Sequence, residues 1–271
     1  MQLPLIKKTY FCGANQNRMK FRLPRKIKYL RKARHWHGFG IHSPFLFHLV
    51  TEVIEDKKRY PVYRIIQSSK KQITNRVKEI NYDQEITYNG IPLQSLIGKK
   101  KPFKSVELGY RYGKLMLRLV REFKPSSVFY HGPTFGLNLL YLALADENIP
   151  VNTHTTDPVM NQLCKEAIEN IPVNNVNLEF EETTPSCVQE FVFINLSFLP
   201  GEARNKILLK LKLGGDDDVM IIRGIHKSGE METLWQEVIK EKKVRVSLDL
   251  YEIGILLFRK KLQKQHFILR F

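Results

Sequence analysis

Three histidines stand where a proton can be moved. His131, His154 and His226 each lie at or just beyond a short apolar run that reads as a strand. Imidazole is the usual side chain for general acid–base work near neutral pH. His226 reads equally as a surface histidine beside a helix start. The other chemical feature is residues 127–145. Val128, Phe129 and Tyr130 are strand-prone. Gly132 and Gly136 let the backbone approach a neighbour or a ligand. Leu139, Leu140, Leu142, Ala143 and Leu144 then make a helix apolar on most sides, hence buried. A strand, a glycine turn and a helix N-terminus aim free N–H groups at one place, which suits a phosphate or a carboxylate. By itself the same stretch describes any strand–helix turn of an α/β domain.

Metal chemistry has less support. His35, His37 and His42 cluster without a fourth ligand, so capping or structural roles fit them better. Asp216, Asp217 and Asp218 read as a turn. Cys12, Cys164 and Cys187 are scattered and odd in number, with no zinc spacing, so a reduced, cytoplasmic protein without disulfides is expected. No apolar run approaches the roughly 18–20 residues of a membrane span. Residues 3–6 run into Lys7 and Lys8 rather than a long apolar core, so a secretory leader is not expected.

The net charge of +17 is unevenly placed. Residues 1–37 hold eleven Lys or Arg and the first acid is Glu52, leaving +6 for everything after residue 37. The basicity is an N-terminal arm rather than a property of the whole surface. Residues 1–23 read as poorly structured, and Met19 offers an alternative start. Pro24 suits the first position of a basic helix over 25–36, with Ile27, Leu30 and Ala33 on one face. That helix can lie on acidic lipid or on nucleic-acid phosphate, or dock on its own domain through the apolar stripe.

These features need scaffolding, and the chain supplies it in order. Ser43-Pro44 starts a helix whose period runs through Phe45, Leu46, Leu49, Val50, Val53 and Ile54. A basic surface helix is expected over 62–79, a loop over 80–104 and a helix over 104–123. From residue 126 the pattern alternates: strands at 126–131, 151–155, 176–180, 190–195 and 218–223, with helices at 135–146, 158–170, 200–212 and 229–242. Asp157 and Ser228 fit as caps. Runs 244–250 and 253–258, separated by Tyr251-Glu252, make an antiparallel hairpin. The expected fold is a Rossmann-like α/β sheet, mostly parallel with one reversed strand. The expected organisation is a basic N-terminus over 1–23, a small helical lobe and loop over 24–104, and the α/β domain over 105–271.

That layout resembles the class I S-adenosylmethionine-dependent methyltransferases. Arg34-His35-Trp36-His37-Gly38-Phe39-Gly40-Ile41-His42-Ser43-Pro44-Phe45 resembles the opening Arg-His-x-x-Gly-x-Gly-Ile-His-Ser-Pro-Phe of a bacterial subfamily of them. Arg111-Tyr112-Gly113, Asp249 to Arg259 and Gln265 to Phe271 match its later blocks. The resemblance implies a methyltransferase that binds S-adenosylmethionine and modifies an acceptor the sequence does not name. Gly132, Thr134, Gly136, Thr155 and Asn195 are the positions it assigns to the cofactor, with His131 and His226 as candidate bases.

The departures are concentrated in that site. Where the family has Glu-Leu-Gly-Thr-Ser-x-Gly, this chain has Tyr130-His131-Gly132-Pro133-Thr134-Phe135-Gly136. The acid for the cofactor's amino group becomes Tyr130, and Pro133 has no N–H to offer. The acid for the ribose hydroxyls becomes Thr155, with Asp157 two residues on. Phe-Ile-Asp-Gly becomes Phe193-Ile194-Asn195-Leu196, and Asp-Asp-Ile becomes Arg223-Gly224-Ile225. In related metal-dependent O-methyltransferases carboxylates at these last two ends hold a cation; Arg223 would repel one, so no metal is expected. Two readings remain: a methyltransferase with a rebuilt site, or a catalytically silent relative that binds an anionic partner, nucleic acid or membrane surface, through residues 18–34.

Overall fold

Strand-forming runs buried on both faces belong in the middle of a sheet. Phe191, Phe193, Val219 and Ile221 face one apolar cluster, and Val192, Ile194, Met220 and Ile222 face a second on the opposite side. The computed structural model describes residues 25–33, 37–80, 86–88, 90–97, 102–154, 157–169, 171–180, 189–197 and 199–271. Thr155, residues 1–24 and the stretch 34–36 of the opening motif therefore lie outside the described residues.

The N-terminal half is helical. Residues 25–32 form α1. Helix α2 (Pro44–His48) is capped by Ser43, whose Oγ accepts from Leu46 N at 3.4 Å, and it widens into π-type turns over Leu49–Ile54. Helix α3 (Val62–Glu79) buries Tyr63, Ile66, Ile73 and Val77. A hairpin of β1 (Thr87–Tyr88) and β2 (Ile91–Pro92) follows, then α4 (Leu93–Ile97) and α5 (Pro102–Val106). The loop expected over 80–104 thus carries short elements.

The rest alternates: α6 (Tyr110–Phe123), β3 (Ser127–His131), α7 (Leu137–Ala143), β4 (Val151–Thr153), α8 (Pro158–Glu169), β5 (Val176–Asn177), β6 (Glu190–Ile194), α9 (Pro200–Leu213), β7 (Val219–Arg223), α10 (Gly229–Val238), β8 (Val246–Asp249), β9 (Ile253–Leu257) and β10 (Gln265–Ile268). The sheet runs β10-β8-β9-β7-β6-β3-β4-β5. Every neighbouring pair is parallel except those made by β9, which is antiparallel to both β7 and β8. The hairpin and the single reversed strand are as expected. Strand β10 is an addition to the expected set; it joins β8 in parallel register, Gln265 opposite Val246.

Two differences from expectation shape the site and the N-terminal arm. The helix expected over 104–123 is broken: α5 ends at Val106, α6 starts at Tyr110, and residues 107–109 are non-helical. Gly109 supplies the extended N-cap of α6. The N-terminal helix docks by a face other than its apolar stripe. Tyr29 is buried, its hydroxyl donating to Leu269 O, and Arg25 pairs with Glu232 at 2.7 Å. Ile27 and Leu30 stay 45% and 44% exposed.

Candidate functional site

The break in the helix carries Glu107 across the C-terminal ends of β3, β6 and β7. The Val106 carbonyl accepts from Asn195 Nδ2 at 3.0 Å, from Asn138 Nδ2 at 3.3 Å and from the Arg223 guanidinium. Arg223 Nη2 also reaches Glu107 O at 2.9 Å. Leu108 N donates to Asn138 Oδ1 at 2.9 Å. Asn195 and Arg223 stand at the tops of β6 and β7 and Asn138 at the start of α7, and all three hold one short piece of chain.

Glu107 is 1% exposed, and its carboxylate sits on the glycine turn after β3. One oxygen accepts from Phe135 N and from Thr134 Oγ1 at 2.9 Å; the other accepts from Asn138 N at 2.9 Å. Gly136 N is taken by Thr134 Oγ1 at 3.0 Å. A helix N-terminus suits a carboxylate because its free N–H groups and dipole favour negative charge, and here the carboxylate is the chain's own. Burial is the larger effect on its acidity and pushes it up to about 7, against the three donors and the nearby Arg223 charge, which pull it down.

Tyr130 completes the network. Its hydroxyl donates to Pro133 O at 2.9 Å and accepts from Asn138 Nδ2 at 2.9 Å and Asn195 Nδ2 at 2.7 Å. Burial drives its phenol well above the usual range, so it stays a neutral donor. Arg223 Nη1 lies 3.1 Å from Asn195 Oδ1, and Nη2 lies 3.3 Å from Glu252 Oε1. Gly132 has φ 130°, and a Cβ there would strike the Asn195 carbonyl. The loop and the β6 end are therefore in backbone contact, with glycine required between them.

Of the residues singled out from the sequence, Gly132, Thr134, Gly136 and Asn195 come together around this network. His131 stands beside it. It lines a cavity of about 260 Å³ with Phe129, Asn152, His154, Phe180 and Lys206. That is just under the roughly 300–1,000 Å³ of most small-molecule pockets. His226 belongs to another cluster: Nε2 is 2.7 Å from Asp249 Oδ2, Nδ1 is 3.3 Å from Glu232 Oε1, and the ring stacks on Tyr251 at 5.5 Å. Burial alone would lower its pKa; the bond and charge of Asp249, with Glu232, outweigh that and hold it above the ordinary value.

Asp157 is spoken for. It accepts from Met160 N at 2.9 Å as the cap of α8, and from Thr87 N and Oγ1, both at 2.7 Å. Asp218 accepts from Glu190 N and Gly215 N, and Asp216 and Asp217 pair with Lys260 and Arg259. Among the described residues no group of three or more His, Cys, Asp or Glu is placed to hold a metal ion.

The residues that sequence reasoning missed are Glu107 and Asn138. An acid within an expected helix looks like a solvated face, and only Gly109, two residues on, hints that the helix stops there. The donors of the glycine turn are taken by Glu107, and Tyr130 occupies the position where the resemblance leads one to expect an acid.

No protein-family model matches the chain, and no curated protein matches it. Solved structures do. The Podospora anserina methyltransferase PaMTH1, bound to SAH, is 11% identical, with 82% of this chain and 98% of that chain covered at a TM-score of 0.54. The O-methyltransferase TomG from Streptomyces achromogenes, in complex with SAM and involved in tomaymycin synthesis, is 12% identical, with 79% and 95% covered at 0.51. The chain has the Rossmann-like fold of class I S-adenosylmethionine-dependent methyltransferases.

Proposed function

We propose that this chain is a methyltransferase-fold protein whose cofactor cleft is closed by its own residues 104–108, and that it acts by binding an anionic partner through its basic N-terminal arm. The observation that carries the first half is the Glu107 carboxylate on the Phe135, Thr134 and Asn138 donors. A second carboxylate could take those donors only by displacing Glu107 from them, and a hydrogen bond to a charged group contributes about 1.5–3 kcal/mol. Two such bonds forgone cost about 3–6 kcal/mol, about two to four decades of affinity, enough to move a micromolar cofactor into the millimolar range. The replacements at Tyr130, Asn195 and Arg223 fit together on this reading, since all three bind residues 106–107 or each other. A site that had merely lost its acids would not need such mutual partners.

The second half rests on charge. Residues 25–33 carry five cations and no acid, and Lys26, Lys28, Arg31 and Lys32 are exposed. The competing reading, a methyltransferase with a rebuilt site, draws on the cavity that holds His131 and His154. Retention on a polyanion column at rising salt, run beside cofactor calorimetry, separates the two. Steeply salt-dependent retention with no micromolar cofactor binding supports the proposal. Micromolar cofactor binding with indifferent retention supports the enzyme.

A further inference from the structure

We propose that the anionic partner is a phospholipid surface, and that α1 is the element that lies on it; this rests on the anionic-partner reading and names the partner. Tyr29 fixes which way the helix faces. Its ring is 5.1 Å from Tyr251 and 6.1 Å from His226, and its hydroxyl holds Leu269 O. Arg25, on the same side one turn earlier, is tied to Glu232. At about 100° per residue, Ile27 lies about 160° round from Tyr29 and Leu30 about 100° round. The apolar pair therefore points away from the protein, in keeping with its 45% and 44% exposure.

The cations frame that pair. By the same geometry Arg31 and Lys28 flank Ile27 on one side and Lys26 flanks Leu30 on the other, and all three are exposed. An apolar ridge between exposed lysines and arginines, with no acid nearby in the sequence, is the surface of a helix that rests in the headgroup region of an acidic bilayer. A nucleic acid would use the cations, but phosphates have nothing to offer an isoleucine and a leucine held outward. The charge is continuous with the rest of the arm, since no acid precedes Glu52.

Co-sedimentation of the full chain with vesicles tests this, using phosphatidylcholine alone and mixed with phosphatidylserine. Binding to the mixed vesicles only, falling with salt, is expected. Ile27→Ser with Leu30→Ser should weaken that binding about thirtyfold, from the apolar area no longer buried, while leaving retention on heparin unchanged. Lys28→Glu should weaken both by about fivefold or more. All three side chains are exposed, so equal melting temperatures will show that the variants fold. No vesicle binding alongside firm heparin binding would overturn the lipid assignment and leave the anionic-partner reading standing. Binding to neither would overturn both.

Discussion

Replacing Arg223 by methionine removes the clamp on residues 104–107 while keeping most of the side-chain volume. Arg223 is 4% exposed. Its guanidinium serves Val106 O, Glu107 O, Asn195 Oδ1 and Glu252 Oε1. Val106 O keeps the Asn195 and Asn138 amides as donors after the change. Glu107 O and Asn195 Oδ1 lose theirs, and a buried acceptor left unpaired costs about 1–3 kcal/mol. Two of them give about 2–6 kcal/mol, from which the relief of no longer burying a guanidinium subtracts part. The expected loss is about 3 kcal/mol in urea unfolding, with the slope against urea unchanged. The loss should grow as pH rises, because Glu107 then ionises without its nearest cation. A loss under about 1 kcal/mol would refute the claim that Arg223 holds this segment.

Other parts of the fold give three further outcomes. Glu107 has a folded pKa of about 7 against an ordinary 4.5, so its contribution is fully present below the unfolded value and is lost as pH rises through about 7. The difference is worth about 3 kcal/mol, and Glu107→Gln should flatten the fall in stability between acidic and neutral pH. His226, also raised, slopes the same way at higher pH, so unfolding measured across this range in His226→Gln should fall less steeply above its ordinary value. Gly113→Ala should cost about 2 kcal/mol or more in thermal unfolding, because its Cβ would meet the buried Tyr141 ring; an unchanged melting temperature would show that Tyr141 moves freely.

The alternation from Ser127 to Leu257 is legible because each buried strand is short, apolar and bounded by turn residues, and because Tyr251-Glu252 leaves room for nothing but a hairpin. Ser43, Asp157 and Ser228 are legible as caps for the same local reason. Strand β10 is not, since Gln265, His266, Phe267 and Ile268 alternate only weakly and are held by pairing to β8. The site is half legible. Tyr130, Asn195 and Arg223 stand out as departures, but their purpose depends on Val106 and Glu107, which lie at least 23 residues away in sequence and within what reads as a continuous helix. A buried carboxylate satisfied by three long-range donors leaves no periodic trace. The N-terminal helix misleads for a related reason: its apolar stripe suggests the docked face, and one tyrosine hydroxyl with one arginine decides otherwise.

Calorimetric titration of S-adenosylmethionine into the protein and into Glu107→Ala bears most directly on the closed cleft. The unmodified chain should bind at millimolar levels or more weakly, and somewhat better below pH 7, where Glu107 is protonated. Glu107→Ala, checked for folding, should bind more tightly by up to about three decades, because the loop donors are released. Micromolar binding by the unmodified chain, unchanged by Glu107→Ala, would contradict the account.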